Sequence, residues 1–449
     1  MKAGLANTYD LKVPRYTSYP TAPHFDEVVD GARYSAWLGG IDPGTPLSLY
    51  FHIPFCAEMC WFCGCHTKIV KRYDPVAAYV ETLLAEIDLV AAALPGRFAA
   101  RHLHWGGGSP SMLTGADWRS IMDKLAARFD IAPGARVAVE IDPRTATEDY
   151  VKTLAGAGVN RASIGVQDFD ADVQAAINRV QPFAVTERVV GWLRAHGIAN
   201  LNMDLMYGLP HQTVPGVRRM ADQAASLEPD RLALFGYAHV PWMKPHQKMI
   251  PEDALPDTPQ RLSQFEAAAA RLGDLGYVAI GLDHFALAGD DLAIALKEGR
   301  LRRNFQGYTT DTAPVLLGFG ASAIGALPQG YVQNTAPLKD YRRGVERGEF
   351  PVARGIALTP EDRLRAEIID RLMCGLAADL GAIGRRHGAD PGHFAAELDA
   401  LTPLADDGIV TVDGERVTVT AAGRPFTRLV AATFDAYLRK GTARHSKVV

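Results

Sequence analysis

Residues 47–68 read LSLYFHIPFCAEMCWFCGCHTK. The opening LSLYFHI is a near-continuous apolar and aromatic run, the pattern of a strand buried on both faces of a parallel sheet. Directly behind it come four of the five cysteines, Cys56, Cys60, Cys63 and Cys65. Metal-type ligands delivered at the carboxyl end of a buried strand suit an open α/β architecture, whose chemistry gathers at the carboxyl ends of parallel strands.

The same unit recurs downstream. Short β-rich runs stand at HLHWGG (102–107), RVAVEIDP (136–143), RASIGVQD (161–168), NLNMDLMYGLP (200–210) and RLALFGYA (231–238). Ala-rich, charged stretches such as DPVAAYVETLLAEIDLVAAAL and VTERVVGWLRAHGI separate them. Strands alternating with helices predict βαβ units and a parallel sheet. Six units fall short of the eight that close a full barrel, so the expected fold is α/β with a partial (β/α)6 barrel over about residues 47–238. Its strand ends carry the cysteines, then Gly106-Gly107-Gly108-Ser109-Pro110, Glu140 and Asp142, Gln167 and Asp168, and Asp204.

The chain has 449 residues, enough for one large domain with smaller ones beside it. Lys plus Arg is 47 and Asp plus Glu is 51, a net charge of −4, which gives no basic excess for nucleic acid as the main partner. The first residues, MKAGLANTYDLKVPRY, show no apolar h-region, so no signal peptide and a cytoplasmic location are expected. Uncharged residues 312–338 are broken by Pro314, Gly318, Gly320, Gly325, Pro328 and Gly330. Their apolar run is shorter than the ~20 residues a membrane span needs, and predicts a buried glycine-rich segment. Cys374, in RLMCGLAADL, reads as a buried small hydrophobe on a helix. Without an export signal the clustered thiols are metal ligands rather than a disulfide framework. Toward the C-terminus, helical patterns precede DDGIVTVDGERVTVTAAGRPF, in which Asp413-Gly414 signals a hairpin. The expected division is an N-terminal arm (1–46), the barrel (47–285), a barrel extension and connecting segment (286–357), and a mostly helical, winged-helix-like domain (358–449).

The spacing C-x3-C-x2-C-x-C lacks the distant second ligand pair usual for structural zinc. Three thiolates on one loop can hold three irons of a [4Fe–4S] cluster and leave the fourth iron open. Spacing alone leaves zinc standing beside the cluster. HWGGGSP lies between a strand and a helical pattern, where glycines let backbone approach a ligand. It is not GxGxxG, so a dinucleotide site is disfavoured.

C-x3-C-x2-C after YFHIPFC, with GGGSP after the second strand, resembles the radical S-adenosylmethionine (SAM) enzymes. Within that superfamily the chain resembles the oxygen-independent coproporphyrinogen III oxidases. The resemblance rests on PRYTSYPTA (14–22), LYFHIPFC (49–56), the cysteine loop, HWGGGSP, EIDPR (140–144), GVQDF (165–169), NMDLMYGLP, YAHVP (237–241), LDHFA (282–286) and NFQGYTT, in order to about residue 310. It implies Cys56, Cys60 and Cys63 as cluster ligands, with Cys65 as a supporting thiol that does not ligate. It implies Phe62 as a cofactor contact, and two SAM molecules. Tyr50, Gly107, Glu140 and Ile324 match contacts to the first; Gly108, Ser109, Gln167, Arg179, Asp204 and Ala238 match contacts to the second. Ser109 stands where Thr is usual and Trp61 where Tyr is common; the hydroxyl and the ring are kept.

The implied substrate is coproporphyrinogen III, two of whose four propionates become vinyl groups with loss of carbon dioxide, giving protoporphyrinogen IX on the way to haem. No side-chain base removes hydrogen from an unactivated propionate carbon, so the cofactors carry that step and no catalytic residue beyond them is expected. Arg15 and Gln306, polar groups inside apolar segments, are the expected propionate partners. The implied partners are a one-electron donor such as flavodoxin or ferredoxin, with no nucleic acid and no membrane span, and the implied state is a monomer. His52 is expected to be a core histidine donating to a carbonyl, while His284 is open. The rival readings are a haem-trafficking relative, a radical methyltransferase that opens haem, and a zinc-stabilised scaffold. Cys65, PRYTSYP and NFQGYTT argue against the first two.

Overall fold

Each of the six apolar runs folds as a strand in the computed structural model, which describes residues 3–9 and 11–438. They are β1 (Leu47–Ile53), β2 (Ala99–Gly107), β3 (Asp130–Ile141), β4 (Arg161–Gln167), β5 (Asn200–Tyr207) and β6 (Arg231–Gly236). Neighbours from β1 to β6 pair in parallel, with Tyr50 beside His104, Glu140 beside Ser163 and Gly165 beside Asp204. The helices Asp74–Ala93, Gly115–Arg128, Glu148–Gly156, Phe183–Ala195 and Val214–Ser226 connect them. Several start at side-chain caps that satisfy otherwise unpaired N–H groups: a Thr114/Asp117 capping box, Thr147 and Thr213.

The sheet extends past both ends of this set. At one edge lie antiparallel β7 (Tyr277–Ile280) and β8 (His284–Leu287), with β8 against β6. A short hairpin, β9 (Arg302–Asn304) and β10 (Gly307–Thr309), follows. At the other edge β11 (Val315–Phe319) lies parallel to β1, followed by antiparallel β12 (Ile324–Leu327), β13 (Gly330–Asn334) and β14 (Val352–Ala357). The 12-stranded order is β14-β13-β12-β11-β1-β2-β3-β4-β5-β6-β8-β7. The glycine-rich segment is therefore buried as expected, and it also forms wall strands next to β1. Gly318 and Gly330 are needed there: a Cβ would sit 2.7 Å from Ile324 backbone and 2.0 Å from Ile356 O.

The two faces of the barrel wall differ in chemistry. On the outer face Phe51 stacks on Trp105 at 4.7 Å and on Phe319 at 5.1 Å, and Trp105 meets Trp118 at 5.0 Å. Such ring pairs contribute about 0.5–1.5 kcal/mol each beyond area burial, and these lock β11, β1 and β2 side by side. The inner face is polar: in NLNMDLMY burial alternates, so Leu201, Met203 and Leu205 go outward to helices while Asn202 and Asp204 turn into the lumen.

The C-terminal region packs helix Pro360–Gly375 against a three-stranded antiparallel sheet of β15 (Ala377–Asp379), β16 (Val410–Asp413) and β17 (Arg416–Val419). The β16–β17 turn is tight, with Asp413 opposite Arg416 and Gly414 at φ +57°. Residues 439–449 of the expected C-terminal domain lie outside the described residues. Val13, Tyr16 and Tyr19 of the arm share one core with Ile368, Leu372, Phe426 and Phe434. Cys374 is buried beside Ile280 and Tyr308. Among the described residues no helix is long and apolar enough to cross a membrane.

Candidate active site

The cysteine loop is closed at its base, where Phe55 and Cys56 pair with Lys68 and Ile69. Two clamps then hold its backbone. On one side Trp61 N donates to Ile177 O at 3.0 Å and Asn178 Nδ2 to Met59 O at 2.7 Å. On the other, Gln247 Nε2 donates to Phe62 O (3.0 Å), His246 Nε2 to Cys63 O (2.8 Å) and Lys244 Nζ to Cys65 O (2.8 Å). The clamps engage backbone groups of the loop and no sulfur. All five cysteines are free thiols.

Cys56, Cys60, Cys63 and Cys65 line one cavity of about 170 Å³. Its residues fit a sulfur-ligated iron cluster. Arg144 Nη2 and Arg179 Nη1 approach Cys60 Sγ at 3.3 Å and 3.5 Å, placing positive charge where thiolate ligands accumulate negative charge. Among the described residues no three Cys, His, Asp or Glu side chains converge as a site for one ion. Zinc needs all its sulfurs about 2.3 Å from one point, whereas each sulfur of a cluster meets its own iron. Arg179 Nε is buried with no hydrogen-bond partner inside the protein, a donor left for an anionic group of a ligand.

The glycine run is demanded by the protein's own packing around this loop. A Cβ on Gly106 would lie 2.6 Å from Glu140 Oε1, one on Gly107 2.4 Å from the His52 ring, and one on Gly108 2.6 Å from Phe55 O. Gly107 also sits at φ +107°. This close approach lets Gly107 N donate to Glu140 Oε2 at 3.0 Å, while Gly108 N and Ser109 N bond Ile53 O and Phe55 O.

Below the loop, strand-borne polar groups form a floor. His104 Nε2 stands 3.3 Å from Glu140 Oε1, and its ring stacks on Tyr50. Asp204 accepts from Ser163 Oγ (3.1 Å) and Asn202 Nδ2 (2.8 Å). Burial, and next Glu140, push the Asp204 carboxyl up to about 6. Burial opposes ionisation of Glu140 too, yet His104, the Gly107 N–H and His52 hold it below the usual carboxylate range. Gln167 is a non-glycine residue at φ +71°, on a register shift between β4 and β5. Such strain persists where surrounding contacts enforce it and clusters at functional sites.

The cavity gathers Cys56, Cys60, Phe62, Cys63, Cys65, Gly107, Gly108, Glu140, Gln167, Arg179 and Asp204 from the sequence-based set. Phe62 also packs against the small apolar cluster that contains Val173, Ile177 and Tyr237. Tyr50 is one layer down, its hydroxyl donating to His52 Nδ1 at 3.0 Å. Ile324 lies against Gly318, the register partner of Tyr50. Ala238 is tied to Phe62 by Gln247, which donates to both carbonyls. Ser109 is buried, its hydroxyl bonded to Ser111 Oγ at 2.6 Å, and does not border the cavity. His52 Nε2 donates to His66 O at 3.0 Å, the core role expected of it.

Arg15 and Gln306 are not brought together. Gln306 borders the barrel lumen, a cavity of about 270 Å³ sharing Glu140, Ser163 and Asp204 with the cysteine cavity. Arg15 borders a separate side pocket. In EIDPR the sequence points to Glu140 and leaves Asp142 and Arg144 without a role. Asp142 in fact holds Arg144 at 2.7 Å and Arg179 at 3.3 Å, aiming both guanidiniums at the sulfur side. The available signal was an acid and a base two residues apart at a strand end.

Residues 50–224 match the model of the radical SAM superfamily, and residues 358–426 match the HemN C-terminal domain. An oxygen-independent coproporphyrinogen III oxidase of Bradyrhizobium diazoefficiens is 51% identical over 100% of both chains. The chain belongs to the oxygen-independent coproporphyrinogen III oxidases. A member of the family from Paracoccus denitrificans is 46% identical, covering 96% of this chain and 95% of its own. The solved structure of coproporphyrinogen III oxidase (HemN) from Escherichia coli, a radical SAM enzyme, superposes with a TM-score of 0.90 at 38% identity, over 95% of this chain and 100% of that one. A [4Fe–4S] cluster and SAM are the cofactors of this superfamily, which also resolves the choice between zinc and cluster left open by cysteine spacing.

Proposed function

We propose that this chain decarboxylates two propionates of coproporphyrinogen III oxidatively to vinyl groups, giving protoporphyrinogen IX without oxygen. The observation that carries the reading is the cavity in which four loop cysteines, the guanidiniums of Arg144 and Arg179 and the carboxylates of Glu140, Asp142 and Asp204 meet, opening on a polar lumen. Cys56, Cys60 and Cys63 hold the cluster, with Cys65 supporting the loop as a non-ligand. When bound, cluster and SAM supply one-electron reduction and hydrogen-atom abstraction from an unactivated carbon.

The chain's own residues bind and orient. Arg179, with an unused Nε, receives a carboxylate of SAM, and Glu140 and Asp204 accept from its hydroxyls or ammonium. Tyr50, Gly107 and Ile324 complete one SAM site. Gly108, Ser109, Gln167 and Ala238 complete a second, with Ser109 acting through its backbone. Gln306 at the lumen and Arg15 at its side hold propionates. The wall strands and the arm keep water from the reacting carbon. A flavodoxin or ferredoxin supplies the electron, and the enzyme works as a cytoplasmic monomer.

The test is an anaerobic assay of the iron-loaded protein with coproporphyrinogen III, SAM and a strong reductant. Protoporphyrinogen IX and two equivalents of carbon dioxide are expected. Absence of carbon dioxide from protein carrying full iron and sulfide would overturn the reading.

A further inference from the structure

Two arginines at the amino-terminal end of the barrel turn hydrogen-bond donors into the lumen and leave them unused. Arg161 is the first residue of β4 and Arg231 the first of β6. Burial alternates along β4, so Ala162 and Ile164 join the outer core while half-buried Arg161 and Ser163 line the lumen. On β6, Leu232 and Leu234 go outward, and buried Arg231 lines the lumen beside Asn202, its register partner on β5. Neither arginine borders the cysteine cavity, although Ser163 and Gly165 of β4 do. Gly165 stands four residues beyond Arg161, about 13 Å along a strand.

The acids at this end of the barrel are already engaged. Arg136 donates to Asp291 and Thr310, Arg231 Nε donates to both oxygens of Asp290 at 2.7 Å and 2.8 Å, and Asp311 accepts from Ser48 with His102 Nε2 at 3.4 Å. The Arg161 guanidinium takes no hydrogen bond and no ion pair among the described residues. Nor do Nη1 and Nη2 of Arg231, and its Nη2 is buried. Burial, and next Arg231, push the Arg161 guanidinium down to about 10; Arg136 acts the same way, while Asp290 and Asp291 oppose it. Asn202 adds an unused acceptor. Its Nδ2 donates to Ser163 Oγ and Asp204 Oδ1, both at 2.8 Å, and its Oδ1 is buried without a partner. Buried donors and acceptors left unpaired are costly, and here they face a cavity that can hold their partner. That cavity runs on into another of about 390 Å³, with which it shares Asn304, Thr309, Asp311 and Leu316.

We propose that Arg161 and Arg231 hold the carboxylate of a propionate that the reaction retains, at the end of the lumen away from the cysteines, and that this contact orients the macrocycle so that a different propionate reaches the cysteine cavity. The proposal rests on the function proposed above. Coproporphyrinogen III offers pyrrole N–H groups, which only donate, and propionate carboxylates, which accept. Of these, the carboxylate alone can use the arginine donors, and a pyrrole N–H suits Asn202 Oδ1. The length of β4 between Arg161 and Gly165 keeps a carboxylate seated there away from the cysteine cavity, so its own propionate is not the one that reacts.

The test uses iron-loaded enzyme under anaerobic conditions, with coproporphyrinogen III and an analogue whose two retained propionates are methyl esters. Loss of a charged hydrogen-bonded contact raises KM about tenfold or more. Arg161→Gln is expected to raise KM for the free acid by that factor with kcat within twofold. Its Tm should not fall, because Arg161 has no partner in the protein to lose. Arg161→Lys, which keeps the charge, should recover part of the KM. Wild-type enzyme should lose at least the same factor on the diester, and Arg161→Gln should lose little more on it, because both changes delete one contact. Equal KM values for acid and diester with wild-type enzyme overturn the proposal, whether or not the variant folds. So do variant and ester losses that multiply in full, and so does an Arg161→Gln enzyme with lowered Tm and unchanged KM, the result of a purely structural role. If wild-type enzyme releases no carbon dioxide from coproporphyrinogen III, the proposed function itself has failed.

Discussion

Glu140 and Asp204 are the same kind of acid on one floor, shifted in opposite directions by their surroundings. Asp204, at about 6, binds its proton more tightly than in an unfolded chain, near 3.9. Its protonation therefore stabilises the fold fully below about pH 4, and this is lost as pH rises through 6. Asp204→Asn should raise the melting temperature of SAM-free protein at pH 7, by on the order of 2 kcal/mol of stability, and flatten the slope between pH 4 and 6. Thermal unfolding across that range checks it, and an unchanged slope would count against the assignment. At Cys60, removing a guanidinium removes positive charge from beside the sulfur. Arg144→Ala should lower the cluster's reduction potential by roughly 50 mV, readable in an EPR-monitored redox titration. Glu140 and Gln167 are legible in sequence because each falls at the end of an apolar run, and Asp204 because it is a carboxylate set inside one. Arg144 is not, because an Asp and Arg two apart read as a local ion pair until folding brings Cys60 beside them.

Among the elements, β1 to β6 are legible for a simple reason: each carries a short apolar, β-rich run set off from a helical pattern by turn residues. Strand β11 is not, since VLLGFG carries glycines that weaken a strand signal, and its place beside β1 is decided by long-range pairing. What secures that wall is Glu86, on helix Asp74–Ala93. Its carboxylate accepts from Gly320 N (2.7 Å), Asn334 Nδ2 (2.6 Å) and Tyr341 OH (2.7 Å), so one side chain ties the helix to the ends of β11 and β13 and to helix Leu338–Glu346. Burial raises it to about 7. Glu86→Ala orphans three buried groups and should cost about 3 kcal/mol, measured as a lower midpoint in urea unfolding. Glu86→Gln should cost less, and a destabilisation as large as that of Ala would show that shape rather than hydrogen bonding matters there.

At the scale of the molecule, the arm is the part whose sequence says least about its place. PRYTSYP shows no period, and its position follows from partners hundreds of residues away. Tyr16 OH donates to Asp435 Oδ2 at 3.0 Å, Ala436 N donates to Tyr19 OH at 3.0 Å, and Arg428 holds Val13 and Pro14. Truncation after residue 357 should therefore release residues 13–20. Hydrogen exchange at those amides is expected to rise while the β1–β6 amides stay protected; retained protection of the arm would show that the barrel alone positions it.

That arrangement has a consequence for how the protein is made. Chains fold from the first residues to leave the ribosome, yet residues 13–20 take much of their seat against residues near 428–436. A nascent barrel thus emerges with the arm's side uncovered until the last helix arrives. The arm is therefore the first segment made and the last to dock, and the barrel is complete before its own N-terminus is fixed.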